Sequence, residues 1–252
     1  MSTLFLALFI SLGIQIVLFI IAYSIKTDKL TDISYSLTFA IISIIIYIKS
    51  SRSILHLLLL FMILIWSLRL GIYLLIRINK IGKDKRFDNI RDRFFKFLGF
   101  WIVQGFTVWF VLINSILYFD SSPRVNGLIV FGIIIWILGL LIEGIADHQK
   151  FVFKNNLRNK NKFIQLGLWR YSRHPNYFGE FLMWLGIYLL TIDALDLTNK
   201  LISLISPFYI LIILIFVSGI PILERSYEKR YGKEWKDYKD RTSMFIILPH
   251  EE

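Results

Sequence analysis

Residues 4–23, LFLALFISLGIQIVLFIIAY, run for twenty positions without a charge, and Ser11 and Gln15 are the polar groups in their interior. A helix crossing a hydrocarbon core about 30 Å thick takes roughly 20 residues. No water is present in that core to satisfy open backbone N–H and C=O groups, so a spanning run must be a helix. No charged n-region precedes the run and no small-residue cleavage site follows it. It therefore reads as a retained membrane helix and not as a signal peptide.

Outward from this run the pattern repeats. Further apolar runs fall at about 33–49, 54–78, 97–118, 127–146, 178–193 and 201–221. The chain is 56% hydrophobic, against roughly 45–50% in soluble domains, and its mean hydropathy is +0.62. These runs predict an all-α polytopic protein, one transmembrane domain of about seven helices. There is no cysteine, which excludes disulfides, thiolate metal sites and cysteine nucleophiles. The formal charge of +11 is explained first by topology and then by anionic lipid or ligand, with no need of nucleic acid. Of the 29 Lys and Arg, 24 fall in residues 26–32, 77–96, 147–177 and 222–252; four (Lys49, Arg52, Arg124, Lys200) fall in the alternate loops, and Arg69 lies within a span. That asymmetry predicts an N-terminus outside and a C-terminus in the cytoplasm.

Buried polar groups are the informative ones, because a charge at a helix centre costs about 2.5–3.5 kcal/mol on insertion scales. Arg69, Tyr73 and Arg77 share a face with Trp66 at helical spacing. That face suits a wet cavity, with Arg69 too deep to snorkel and Arg77 able to. Glu143, Asp147, Lys150 and Lys154 form one stripe at the cytoplasmic end of the fifth span. They read either as an interfacial ion-pair network or as carboxylates aimed at Arg69, Arg77 or a ligand. His148 is the one histidine near these acids, and no HExxH or two-histidine spacing occurs, so no metal is expected. In residues 167–180, GLWRYSRHPNYFGE, Pro175 fits the first turn of a helix with Ser172 or Arg173 near its cap. Arg170, Arg173 and His174 beside that helix start make a candidate anion site. Asn176 and Glu180 share its next face, and Trp184 extends it. The tail, 222–241, carries Glu224, Tyr227, Tyr231, Trp235 and Tyr238 on one helical stripe. It reads as an amphipathic helix on the membrane surface or as a lid over a cytoplasmic site.

Residues 171–186, YSRHPNYFGEFLMWLG, resemble the C-terminal domain of steroid 5-alpha-reductases, and most closely its bacterial branch, the domain of unknown function 1295. Asp84-Lys85-Arg86-Phe87, Ala146-Asp147-His148-Gln149-Lys150 and Glu234-Trp235-Lys236-Asp237-Tyr238 extend the resemblance over most of residues 66–249, with residues 97–252 as the reductase-like region. The resemblance implies seven helices enclosing NADPH on the cytoplasmic side. It also implies hydride transfer to an enone of a lipid-like substrate, steroid-like or isoprenoid-like, entering from the bilayer. By that resemblance Asn176 and Glu180 hold the nicotinamide end, and Asp147 lies near the adenosine or ribose. Glu143 stands where an asparagine is usual, Arg69 and Tyr73 are cofactor-side residues, and Tyr231 matches a tail tyrosine. Tyr227 replaces a histidine. The ketone-binding tyrosine aligns with Trp66, and its glutamate partner aligns with Asp32.

The same Arg-His-Pro-x-Tyr-x-Gly core occurs in isoprenylcysteine carboxyl methyltransferases, which use S-adenosylmethionine, a cofactor without phosphates. The expected activity is therefore an NADPH-dependent membrane reductase, with an S-adenosylmethionine-dependent methyltransferase as the alternative and a non-catalytic lipid-binding or scaffold protein as the third reading. Tyr73, Trp66 and a protonated Asp32 are the candidates to stabilise the developing oxyanion. Arg69, Lys150, Arg170, Tyr171, Arg173, His174, Asn176, Glu180, Glu143, Asp147, Tyr227 and Tyr231 are the candidates to hold the cofactor.

Overall fold

A computed structural model describes residues 2–81 and 87–249. Among these residues the regular structure is helical: α1 (Thr3–Ser24), α2 (Lys29–Lys49), α3 (Ile54–Ile81), α4 (Phe94–Phe119), α5 (Gly127–Asn155), α6 (Pro175–Thr191), α7 (Leu197–Ser203), α8 (Ile205–Ile212), α9 (Ile220–Tyr231) and α10 (Lys233–Arg241). Six stretches are long and apolar enough to cross a membrane: α1, α2, Ile54–Lys80, α4, α5 and Leu197–Tyr231. The remaining expected span is α6, which at 17 residues is shorter than these. The protein is thus an all-α polytopic membrane protein. The last long stretch is not one regular helix, because π-helical turns at Ile213–Val217 separate α8 from α9.

The chain divides into two compact units. The first comprises residues up to Asn126 together with Thr191–Ser206. Its α1, α2 and α4 are joined by a buried polar knot. Gln104 donates to Gln15 Oε1 at 3.0 Å, to Ser34 at 2.8 Å and to the Thr31 carbonyl at 3.0 Å. Gln15 in turn donates to Thr38 at 2.8 Å. In lipid the hydrophobic effect does not hold helices together, so such interhelical bonds, worth about 0.6–2 kcal/mol each, carry weight. Next to the knot Phe19, Phe87, Phe97 and Trp101 make an aromatic core. The buried Arg91 pairs with Asp28 at 3.1 Å and with Asp88 at 2.8 Å. Asp28, just before α2, thus holds Arg91 of the segment that leads into α4.

The second unit, Gly127–Leu190 together with residues from Pro207 onward, is built on α5 and α6 packed backbone to backbone. A Cβ placed on Gly132 would lie 2.6 Å from the Gly186 carbonyl, and one on Gly139 would lie 2.6 Å from the Gly179 carbonyl. Reciprocally, a Cβ on Gly186 would lie 2.7 Å from the Trp136 nitrogen and one on Gly179 would lie 2.6 Å from the Glu143 nitrogen. Each helix supplies two glycines seven residues apart, two turns of one face. The pairing descends on one helix as it climbs on the other, so the two run antiparallel. Small residues allow this approach, which van der Waals contact rewards in a membrane. Gly139→Ala should therefore cost about 1–3 kcal/mol by overpacking against an immovable backbone. Gly144→Ala on the same helix, where nothing lies within 4 Å, should be neutral. Melting temperatures of the two purified variants measure the difference.

Candidate functional site

The close approach of α5 and α6 sets the chemistry of the second unit. Glu143 and Asp147 are buried on α5. They lie a turn apart on the stripe that continues to Lys150 and Lys154, as the spacing predicts. Across from them α6 begins with Pro175 at its first position and His174 as its cap; the His174 carbonyl receives the N–H groups of Tyr177 and Phe178. The first two turns of α6 then present Asn176 and Glu180. Asn176 Nδ2 donates to Asp147 Oδ1 at 3.2 Å. Its Oδ1 is buried without a hydrogen-bond partner among the described residues. The buried Glu180 accepts from the Trp184 indole at 2.8 Å.

The cations divide by environment. Arg173 and His174 are buried, and the anion they meet is the chain's own Glu224. Arg173 Nε donates to Glu224 Oε1 at 2.8 Å, and His174 Nε2 lies 3.2 Å from the same oxygen. Lys239 reaches the other oxygen at 3.5 Å. Arg173 Nη1 also donates to the carbonyls of Lys239 and Thr242, at 2.9 and 2.7 Å. Backbone bonds extend the grip: Arg173 N–H donates to the Ser243 carbonyl and Leu248 N–H to that of Tyr171, while the Ser172 hydroxyl donates to Phe245. Arg170 and Tyr171 are exposed. Lys150 sits 4.4 Å from the centre of the Trp169 ring, a cation–π contact.

The tail departs from the single 222–241 helix that its pattern predicts. Gly232, at φ +52°, breaks it into α9 and α10. The stripe is nevertheless used as one surface. Tyr227, Tyr231, Trp235 and Tyr238 close around Phe163. Tyr238 donates to the Trp169 carbonyl, and Tyr231 donates to that of Lys162 at 3.2 Å. Beside this cluster is a cavity of about 290 Å³ whose lining includes Lys154, Lys160, Lys162 and Arg230 with Phe163, Tyr227 and Tyr231. The two tail tyrosines picked out from the sequence thus lie at a basic, aromatic hollow. Its cations from the loop after α5 read in the sequence only as topology.

In the first unit, Trp66 is buried with its ring edge-on to Phe39 at 4.7 Å. Arg77 does not merely snorkel: Nη2 binds Asp32 Oδ2 at 2.8 Å. Asp32 is therefore engaged by a guanidinium. Arg69 and Tyr73 lie on the same helix, α3, both half-buried. Asp84, Lys85 and Arg86 lie outside the described residues. Among the described residues no group of acids and histidines is placed to hold a metal.

A family model described as "Protein of unknown function (DUF1295)" matches residues 18–242. The chain belongs to that family. No curated protein and no solved structure matches it. The DUF1295 match takes in all of α2 to α10, and with them the α5–α6 pair, the Glu224 side chain with its Arg173, His174 and Lys239 partners, and the basic cavity.

The Glu224 network fixes one pH response of the DUF1295 chain. Burial pushes His174 below its usual 6.5, an effect larger than the opposing hydrogen bond to Glu224. Between that value and the lower folded one, the unfolded chain binds a proton that the folded chain does not, so stability falls as pH drops through about 6.5. Melting temperature should decline from about pH 7.5 to pH 5.5 in the native chain, and the decline should flatten in His174→Asn.

Proposed function

We propose that this protein is an NADPH-dependent membrane reductase acting on the carbon–carbon double bond of a lipid-like enone. The observation that carries the reading is the basic, aromatic cavity at Lys154, Lys160, Lys162, Arg230, Tyr227 and Tyr231, whose Lys154 stands on the same helical stripe as Asp147 and Glu143. Clustered cations recognise phosphate oxygens, and rings offer a face to a base. S-adenosylmethionine has no phosphate, so these cations favour the dinucleotide over the methyl donor. Lys154 and Glu143 lie eleven residues apart, about 16 Å along the helix, the scale of an extended dinucleotide.

The residues fit such a cofactor at its other end as well. The buried Asn176 Oδ1 lacks a donor among the described residues, and a primary amide such as that of nicotinamide would supply one. Asp147 fixes the orientation of the Asn176 carboxamide, and Glu180, held by Trp184, is the neighbouring acceptor. Lys150 and Arg170 are further cations for the diphosphate. Arg173 and His174 act by holding the tail in place through Glu224. When bound, the reduced nicotinamide supplies the hydride. The chain must supply a donor to the carbonyl oxygen of the enone, where negative charge grows. The cytoplasm is the face on which the reaction is read, in a bacterial inner membrane, because most of the loop cations gather there.

A thermal-shift measurement on the detergent-solubilised chain tests this. NADPH at a hundred times its Kd should stabilise by about 2.7 kcal/mol, and S-adenosylmethionine should leave the melting temperature unchanged. Arg230→Ala should weaken NADPH about tenfold, the loss of one charge-assisted contact, with the apo melting temperature kept because Arg230 is exposed. Stabilisation by S-adenosylmethionine alone would identify the methyltransferase instead. A response to neither would leave a lipid-binding or scaffold role.

A further inference from the structure

On the outer side of α5 the residues Ile134, Leu138, Leu141 and Ile145 are exposed and follow one another at spacings of four, three and four. This is a membrane-facing stripe of an established span. The same spacing continues to His148 and Val152, past the end of the apolar run. Both residues line a second hollow, a cleft of about 350 Å³ that also takes in Gln149, Asn156, Asn159 and Leu166. The acyl-facing surface of the helix therefore leads without interruption into a cleft that turns from apolar to polar.

The surroundings carry two further signs. Leu157 is 88% exposed and Leu166 is 66% exposed, both on the loop that follows α5. Large apolar side chains so bare on a polar loop suit the headgroup–acyl boundary. The charge is also one-sided. From His148 to Gly179 the sequence holds seven Lys and Arg and no Asp or Glu. Basic clusters beside a span attract anionic lipid.

We propose that this cleft is a binding site for an anionic phospholipid, with the acyl chain along the Ile134–Ile145 stripe, the glycerol region at Val152 and Leu166, and the phosphate at His148 and Asn156, next to Arg158, whose backbone N–H donates to Asn156 Oδ1. A molecule whose polar head follows directly on an apolar tail matches the order of the lining. The site is separate in its argument from the reductase reading, and its test has its own readout.

The full chain in a neutral detergent is titrated with phosphatidylglycerol, phosphatidylcholine or soluble glycerol phosphate. Native mass spectrometry reads the bound mass, and melting temperature reads the stabilisation. Phosphatidylglycerol should be retained as a discrete adduct and raise the melting temperature; the other two should do neither. Arg158→Ala should weaken the adduct about fivefold, the share of one cation near an anionic headgroup. Val152→Trp, which fills the cleft from an exposed position, should abolish it with the lipid-free melting temperature unchanged. If that variant misfolds, Leu166→Glu reads the same outcome from the loop side. The proposal fails if phosphatidylcholine binds equally well, if glycerol phosphate reproduces the shift, if the cleft variants keep the adduct, or if a second copy of the chain appears in place of lipid. The NADPH response is recorded alongside, so that its loss with the lipid adduct intact bears on the reductase reading alone.

Discussion

The backbone contact between α5 and α6 is the constraint on which the second unit rests. Four glycines bring two helices to a separation that any Cβ would prevent. That separation is what lets a short carboxamide at Asn176 reach Asp147 directly, and what sets Gly179 against the Glu143 backbone. Elsewhere in a membrane such a carboxylate would be a liability of a few kcal/mol. Here the helix pair is held by packing that needs no polar group, and the polar groups sit at its end. A site whose scaffold depends on its own ion pairs would lose its shape on titration, whereas this scaffold does not titrate.

The tail is held by the opposite strategy. The segment Thr242–Leu248 forms no helix; it lies beside residues 171–173 through backbone bonds and one isolated parallel bridge, Ser172–Ser243. Arg173 is the strut, since one guanidinium binds Glu224 and two carbonyls, and its own N–H binds a third. A buried pair of this kind is weak evidence for net stability, because desolvation offsets most of the attraction, but removing one partner is costly. Its value is specificity of placement: it sets where α9 and α10 lie, and hence where Tyr227 and Tyr231 meet the basic loop.

What was legible in the sequence follows from which forces are local. The hydrocarbon core imposes a length on each span, so the positions of α1 to α5 could be read within a few residues at their starts. The apolar run alone stops at 146, while α5 continues as helix to Asn155, with neither Gly nor Pro to stop it. The polar stripe Glu143–Asp147–Lys150–Lys154 was readable because helical spacing is local. The partners of Arg77 and Arg173 were not, being 45 and 51 residues away in the chain. Aromatic periodicity identified the buried face of the tail, but Gly232 at positive φ breaks the helix without breaking the stripe. The glycine pairs left a signal that went unused: Gly132 and Gly139, and Gly179 and Gly186, each repeat at seven residues within an apolar run, the mark of helices that meet closely.

Charge has two uses in this chain, and the structure separates them. A topological cation needs only to stay on its side of the bilayer, and an exposed one such as Arg93 satisfies that anywhere on its loop. A recognising cation must be held, and holding shows as a neighbour. Lys150 lies on the Trp169 ring, Arg230 binds Asn161 at 2.8 Å and lies over Tyr231, and Lys154 lines the hollow from a rigid helix. Each of these restraints lowers the side-chain entropy that a bound anion would otherwise have to remove. Under the proposed reading, the stretch from His148 to Gly179, which carries no Asp or Glu of its own, offers Lys150, Lys154, Lys160 and Lys162 to an outside anion, while Arg173 and His174 are taken by Glu224.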